Sequence, residues 1–384
     1  MTNSKEIRAL ILEMRALFEK GSPAGLEAIL PSFREFQKKV NRELFESEVT
    51  VADTEPEKWF GTVLSIMDER AGLKLYDLYF KELFDYTKLV PAEERKSRAI
   101  ASLHRQPPQV ERAIIKFINM FPGIYGHIDP ETNDYNTVDQ RVEAIGRNID
   151  DLKALYGLLA DYRSKAILTE TIKNWYDFDY TRVLKTQENL YSDYFDHDII
   201  RPLDGEVFVD AGGYTGDTAI EFDRNFPSYK KIICYEIMPS LCEKIRENTK
   251  ELHDIDVRNK GLSKKNGAMY VNDKGDSVGQ LQEAGETAVE VVRLDDDIKE
   301  KVTWIKMDIE GAEFDALEGC RRHIAEEAPV LTICVYHNYD DIARIPKLIQ
   351  SMRYDYSYYL RSNSTVPVPT EFVLFAVPKD RCLR

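Results

Sequence analysis

The sequence contains no CxxC pair. Its five cysteines, Cys234, Cys242, Cys320, Cys334 and Cys382, all fall after residue 233. An odd number without paired spacing argues against a disulfide framework and for free, mostly buried thiols in a reducing cytosol. The six histidines (His104, His127, His197, His253, His323, His337) form no HxxH, HExxH or Cys–His cluster, so the spacing carries no transition-metal signature and no metal ligands are assigned from it. No stretch approaches the ~20 apolar residues needed to span a bilayer. The start, MTNSKEIRAL, lacks an apolar core followed by a small-residue cleavage site. A cytoplasmic protein with no signal peptide and no membrane span is therefore expected. There is no GxSxG and no P-loop, which removes the serine-hydrolase and nucleoside-triphosphatase readings. Basic residues are also in deficit: 52 Lys and Arg face 67 Asp and Glu, a net charge of −15. Such a chain makes a poor general binder of nucleic acid or anionic membrane, although a local basic patch stays open.

At 384 residues, 43% hydrophobic and 31% charged, the chain has a globular composition and is long enough for about two domains. The first ~200 residues read as helical. Ile7, Leu10, Ile11, Met14, Leu17 and Phe18 recur every three or four positions, which puts them on one helix face. Gly21, Pro23 and Gly25 punctuate its end. Pro107-Pro108 opens another helix carrying Val110, Ile114, Phe117, Ile118 and Phe121, and Pro122-Gly123 stops it. The polar stretch GHIDPETNDYN (126–136) reads as a loop. Thr137 and Gln140 then have capping-box spacing ahead of a helix marked by Ile145, Ile149, Leu152, Tyr156 and Leu159.

From Glu206 the pattern changes. Strand-like runs EVFVD (206–210), KIICYE (231–236), TWIKMD (303–308) and PVLTICVYH (329–337) alternate with helical segments. That alternation specifies an α/β fold with a doubly wound parallel sheet covered by helices on both faces. YDYSYYL (354–360) and EFVLFAV (371–377) are joined by a short connection holding two prolines and no helical period. They suit a hairpin, so one terminal strand is expected to run antiparallel. The expected organisation is a helical N-terminal domain over 1–150, a helical lead-in or linker over 151–200, and a catalytic domain over 201–384.

The strongest local feature is VFVDAGGYTGDTAIEF (207–222), in which a strand ends at Asp210, a turn carries Gly212, Gly213 and Gly216, and a helix begins near Thr215. Glycines there let backbone approach a ligand at the carboxyl edge of the sheet. The plainer reading is a tight strand–helix turn with no ligand. A carboxylate at the strand tip would oppose the pyrophosphate that GxGxxG loops bind. Asp210 suits a ligand with a cationic amino-acid portion better, and S-adenosylmethionine is such a ligand. Glu236, 26 residues on and at the tip of the second strand, is placed to accept hydrogen bonds from ribose hydroxyls. A solvent-exposed strand-end glutamate is the alternative.

TWIKMDIEGAEFDALEG (303–319), preceded by FVDAGGYTGDT, ICYEIMP and NKGLS and followed by YHNYDDIARIPKLI, resembles the FkbM family of S-adenosylmethionine-dependent methyltransferases. The resemblance covers roughly residues 155–378. It implies a seven-stranded class I methyltransferase sheet, Rossmann-like, with one antiparallel strand. It also implies S-adenosyl-L-methionine as cofactor and O-methylation of a glycan or natural-product hydroxyl. Carried over by motif, Asp210, Gly212, Gly213 and Gly216 would border the methionine portion, with Asp217 and Thr218 beside them. Glu236 would hold the ribose, Leu262 and Ser263 would lie near adenine, and Asp308 would touch the cofactor as well as the reaction. Many relatives carry a His shortly after the Arg that ends the penultimate strand. Here the run is Arg361-Ser362-Asn363-Ser364, which puts acceptor choice in question.

Three acidic residues cluster in KMDIEGAE. Asp308 and Glu310 would share a face if the strand continued, with Gly311 turning the chain and Glu313 in the first turn of the next helix. They could line the cleft and take the proton of an acceptor hydroxyl, or form an oxygen-ligand site for Mg²⁺ or Ca²⁺. Alternatively Glu313 caps the helix and the others pair with neighbours such as Lys306. His337, at the end of its strand, is a candidate base if neutral. Tyr191 and Tyr194 precede the sheet and could lid the cofactor. The helical N-terminus would supply oligomer contacts, acceptor binding or both. A non-catalytic S-adenosylmethionine sensor acting through its helices, and a dinucleotide-dependent oxidoreductase, are the competing readings.

Overall fold

The computed structural model describes residues 4–45, 56–70, 74–187, 194–271, 287–362 and 371–383. Packing divides the chain into two compact units, Met1–Arg95 and Lys96–Arg384. In the first, helices Ser4–Lys20, Pro23–Phe45, Pro56–Arg70 and Leu75–Leu89 enclose an apolar cluster that includes Ile7, Ile11, Phe33, Trp59, Phe60 and Val63. Met14 and Phe18 pack against it. Leu10 and Leu17 do not: they are about half exposed, so the apolar face of the first helix is narrower than the spacing suggests. Gly21 does end that helix, but Pro23 begins the next, where its missing N–H is no loss.

Among the described residues, the second unit holds ten strands: β1 Val207–Ala211, β2 Lys231–Tyr235, β3 Ile255–Arg258, β4 Gly261–Leu262, β5 Gly267–Val271, β6 Thr287–Val292, β7 Trp304–Met307, β8 Val330–Cys334, β9 Tyr356–Ser362 and β10 Phe372–Pro378. Seven form the main sheet in the order β3-β2-β1-β7-β8-β10-β9, and β4, β6 and β5 form a small second sheet. β10 pairs antiparallel with both neighbours, while the other pairings in the main sheet are parallel. The expected doubly wound sheet with one reversed strand is therefore present. β1, β7 and β8 are buried along their whole length, as continuous apolar runs require. On one face Phe208, Phe222, Phe226, Trp304 and Phe195 pack ring against ring, with Phe208 and Phe222 stacked at 4.1 Å.

Residue 150 falls inside helix Asn136–Leu158, and the described part of the lead-in that follows is helical, with Tyr162–Asp177 and Tyr180–Leu184. Helix Tyr162–Asp177 lies against β9: Ser164 Oγ accepts from Leu360 N, and Ala160 N donates to the Tyr358 carbonyl. Arg361 is buried and paired with Asp196 at 2.6 Å and Asp161 at 2.8 Å. These segments cover what would otherwise be an exposed sheet edge. The capping box is absent. The Thr137 hydroxyl donates to the His127 carbonyl and the Gln140 side chain donates to Asn136, because the chain folds back through the Asp129–Asp134 turn.

Asp177, at the end of helix Tyr162–Asp177, has its carboxyl pushed up to about 6 by burial, against the pull of the Asp179 backbone N–H and of Lys173 and Arg182. A carboxyl raised in the folded state contributes stability below its unfolded pKa and loses it as pH rises through the folded value. Asp177→Asn keeps the acceptor for Asp179 N and removes the charge. It should raise stability at pH 7.5 by about 2 kcal/mol and leave stability at pH 4 unchanged. Urea denaturation at the two pH values measures this; an equal gain at both would mean that charge burial is not the cause.

Candidate active site at the carboxyl edge of the sheet

A cavity of about 340 Å³ opens at the carboxyl ends of β1, β2 and β7, the edge where open α/β sheets bind ligands. Its floor is the turn after β1. Gly212 has φ +81°, and a Cβ there would collide with the Asp308 carbonyl. This glycine is thus required by the approach of the β7 end as much as by any ligand. Gly213 and Gly216 do not line the cavity. They pack on Ile245 and Thr249 of the segment behind the turn, which corrects their expected place beside the ligand. Asp217 and Thr218, at the start of helix Asp217–Asn225, do line it; the helix begins there rather than at Thr215.

Asp210 is also placed differently from expectation. It is fully buried, does not line the cavity, and lies 3.1 Å from Lys306 Nζ. The cause is strand register: Asp210 on β1 stands beside Lys306 on β7. Burial works against the Lys306 charge, but Asp210 and Asp308 outweigh it and hold the ammonium protonated. Lys306 also donates to the Gly212 carbonyl at 2.8 Å, so the pair locks the turn. Glu236, by contrast, borders the cavity. Its Oε2 accepts from Tyr214 N at 3.0 Å and its Oε1 from Met238 N at 2.9 Å. Burial raises its pKa, and the Met238, Tyr214 and Ile237 N–H groups oppose the rise. Leu262 lines the cavity, whereas Ser263 is buried and does not, its backbone carbonyl lying close to Gly319.

β7 stops at Met307, so Asp308 and Glu310 do not share a strand face. Glu310 takes φ +55° and Gly311 φ +100°, a strained reversal beside the cavity. Both carboxylates still line the cavity. Tyr194 donates its hydroxyl to Asp308 Oδ2 at 2.8 Å. Burial pushes the Asp308 carboxyl up, but Lys306, His337 and the Tyr194 hydroxyl bring it below the usual range. Glu310 moves the other way, raised by burial despite His337. Glu313 is wholly buried; its Oε1 accepts from Ile309 N and lies 2.9 Å from His337 Nδ1.

His337 lies behind the cavity wall and is buried. Burial lowers its pKa, but Glu313, Asp308 and Glu310 together raise it to about 9. It carries a proton at neutral pH, so the reading of a neutral base does not hold for the ring as it stands. Asp341 proves to be a helix-start residue, in the first turn of Asp341–Met352 and paired with Arg344. Tyr191 lies outside the described residues. Sequence reasoning did not single out Tyr214, Tyr235, Ile237, Met238, Lys260, Tyr336 or Glu371, all of which line the cavity. The positions just after the strand tips, Ile237, Met238 and Tyr336, could have been found by extending each strand by three residues.

The family described as the methyltransferase FkbM domain matches residues 210–356. That stretch of the chain is similar to the FkbM methyltransferase domain. A curated relative, "Methyltransferase 1" of Beauveria bassiana (strain ARSEF 2860), is 29% identical over 155 residues, which are 32% of this chain and 61% of that protein. The chain thus spans less than two thirds of that relative's length. The crystal structure of methyltransferase FkbM from Methylobacillus flagellatus KT shares the fold, with a TM-score of 0.55 and 24% identity over 68% of this chain and 70% of that one. The FkbM match begins at Asp210, near the end of β1, and contains the glycine turn, Glu236, the acidic cluster and His337.

Proposed function

We propose that the chain is an S-adenosylmethionine-dependent methyltransferase acting on a hydroxyl of a glycan or natural-product-like acceptor. One observation carries the reading. Five carboxylates line the cavity, Asp217, Glu236, Asp308, Glu310 and Glu371, against two ammonium groups, Lys260 and Lys306. Both lysines are already paired, Lys306 with Asp210 and Lys260 with Asp297 and Glu290. Such a cavity favours a ligand that carries positive charge and no phosphate, and it disfavours the pyrophosphate of a dinucleotide.

S-adenosylmethionine supplies an activated methyl group on a sulfonium. The residues present fit it: Glu236 is placed to accept from the ribose hydroxyls, Leu262 offers an apolar wall, and Asp217 and Thr218 present polar groups at a helix start. The acceptor oxygen attacks the methyl carbon, the carbon–sulfur bond breaks and its electron pair stays on sulfur. The hydroxyl proton passes to a carboxylate of the acidic cluster. Asp308, ionised and oriented by Tyr194, is the residue to which we assign this role. No helix among the described residues is long and apolar enough to cross a membrane, and the five thiols are unpaired. Both fit the proposed work in a reducing cytoplasm.

Incubation with isotopically labelled S-adenosylmethionine and a panel of glycans and hydroxylated small molecules tests the reading. Label should pass to a hydroxyl with release of S-adenosylhomocysteine. Asp308→Asn should slow turnover about 100- to 10,000-fold, the range for a positioned acid–base group. Transfer at the wild-type rate by this variant would remove Asp308 from the mechanism. Tight binding of NADH in a spectroscopic titration would refute the donor assignment.

A further inference from the structure

Behind the cavity wall, His337 presents an unusual pair of ring nitrogens. Nδ1 lies 2.9 Å from Glu313 Oε1. Nε2 is buried and has no hydrogen-bond partner, although the side chain is only 1% exposed. An orphaned polar atom in such a place requires a reason. Its nearest polar neighbours are Asp308 Oδ1 at 3.4 Å and Glu310 Oε2 at 3.5 Å. Those separations are long for hydrogen bonds, which favour about 2.7–3.2 Å. They match the edges of a metal coordination shell: two ligands each bound at about 2.1 Å to a tetrahedral centre stand roughly 3.4 Å apart.

The surroundings agree. A metal-ligating histidine almost always donates its other N–H to a carboxylate or carbonyl, which fixes the ring; here Glu313 holds Nδ1. Donor atoms of Asp308, Glu313 and His337 lie within 4.8 Å of one another, and Glu310 joins this group through its 3.5 Å approach to His337 Nε2. Three carboxylates face a single imidazole, and the nearby Lys306 is committed to Asp210 and the Gly212 carbonyl. The group therefore carries an excess of negative charge that a small cation would balance.

We propose that His337 Nε2, Asp308 and Glu310 bind a divalent transition metal of the zinc class, with Glu313 as the carboxylate that orients the ring. An imidazole beside two carboxylates suits zinc, cobalt or manganese better than magnesium or calcium, which prefer all-oxygen sets. The cation displaces the Nε2 proton, which leaves to solvent. Asp308 and Glu310 both line the cavity, so a free coordination position would face it. There a hydroxyl would be polarised and would lose its proton more readily to Asp308 Oδ2, the oxygen on the Tyr194 side rather than the one facing the ion. That last role rests on the methyl-transfer reading; the metal site itself does not.

The full chain, stripped with chelator and dialysed against Co²⁺ or Zn²⁺, should retain about one ion per chain, and the cobalt form should show visible absorption of a low-coordinate site. Magnesium should not compete at equal concentration. His337→Ala should reduce retention to background, and Glu310→Gln, at a partly exposed ligand, should weaken binding tenfold or more. Thermal melting and calorimetry with S-adenosylhomocysteine are run on each variant. Retained nucleoside binding shows an intact fold, and its absence in the wild type tells against the donor reading alone. No ion retained by the wild-type protein, or equal retention by a folded His337→Ala variant, would overturn the site and leave a loose imidazolium–carboxylate cluster. If His337→Ala does not fold, an unchanged affinity in Glu310→Gln overturns it equally.

Discussion

Glu236→Ala should weaken S-adenosylhomocysteine binding by roughly 100-fold in a calorimetric titration. The proposed ribose contact has one carboxylate accepting two hydroxyl groups in a half-closed cavity. Hydrogen bonds to a charged acceptor contribute about 1.5–3 kcal/mol each, and some of that is regained from water in the truncated site. The side chain is already organised for the task, since the backbone N–H groups of Tyr214 and Met238 fix one oxygen each. The same bonds complicate the alanine variant, because its loss frees the turn after β1 from the tip of β2. Glu236→Gln separates the two effects: one amide oxygen can keep one backbone bond, while the charge is gone. An intermediate loss in the glutamine variant is expected. Normal affinity in both would show that Glu236 does not hold the ribose.

The second large effect is expected at Gly212. Gly212→Ala introduces a methyl group inside the contact distance of the Asp308 carbonyl, and does so at φ +81°. The backbone conformation alone costs about 1–2 kcal/mol for an L-residue. The collision involves main chain on both sides, β1 and the end of β7, and cannot be relieved by a rotamer change. A total loss above about 4 kcal/mol is expected, the range reserved for defects of this kind. Denaturant unfolding should show it as a lowered midpoint with an unchanged slope. A neutral substitution would mean that β1 and β7 part more easily than their pairing implies. Gly213→Ala makes a useful contrast, because its new methyl would meet the flexible end of Ile245 rather than backbone.

How far the sequence could be read differs from one strand tip to the next. β1, β2, β7 and β8 were legible because each is a short apolar run bounded by turn residues, and that pattern is local. The hairpin of β9 and β10 was legible for the same reason. Glu236 could be placed because a residue that ends a parallel strand lies at the ligand edge whatever the neighbouring strands are. Leu10 and Leu17 misled because spacing fixes a helix face but not how wide a stripe the partner helices cover. Glu310 misled because the reversal at Gly311 begins one residue earlier than the glycine itself, with Glu310 already in a left-handed conformation.

Asp210 and His337 are the sharper cases. Nothing near Asp210 in the chain announces that Lys306, almost a hundred residues later, stands next to it across the β1–β7 pairing. The charge state of His337 depends on three carboxylates brought to it by the turn after β7. The six strands β1, β2, β7, β8, β9 and β10, the reversed strand and the acidic character of the sheet edge were written in the sequence alone, through apolar periodicity and the residues that end each strand, whereas β3 to β6 were not. Which of those acids stay open to a ligand and which are used up inside the protein was decided by the tertiary structure. Charge pairing acts through space between adjacent strands, and a linear pattern does not specify which strands are adjacent.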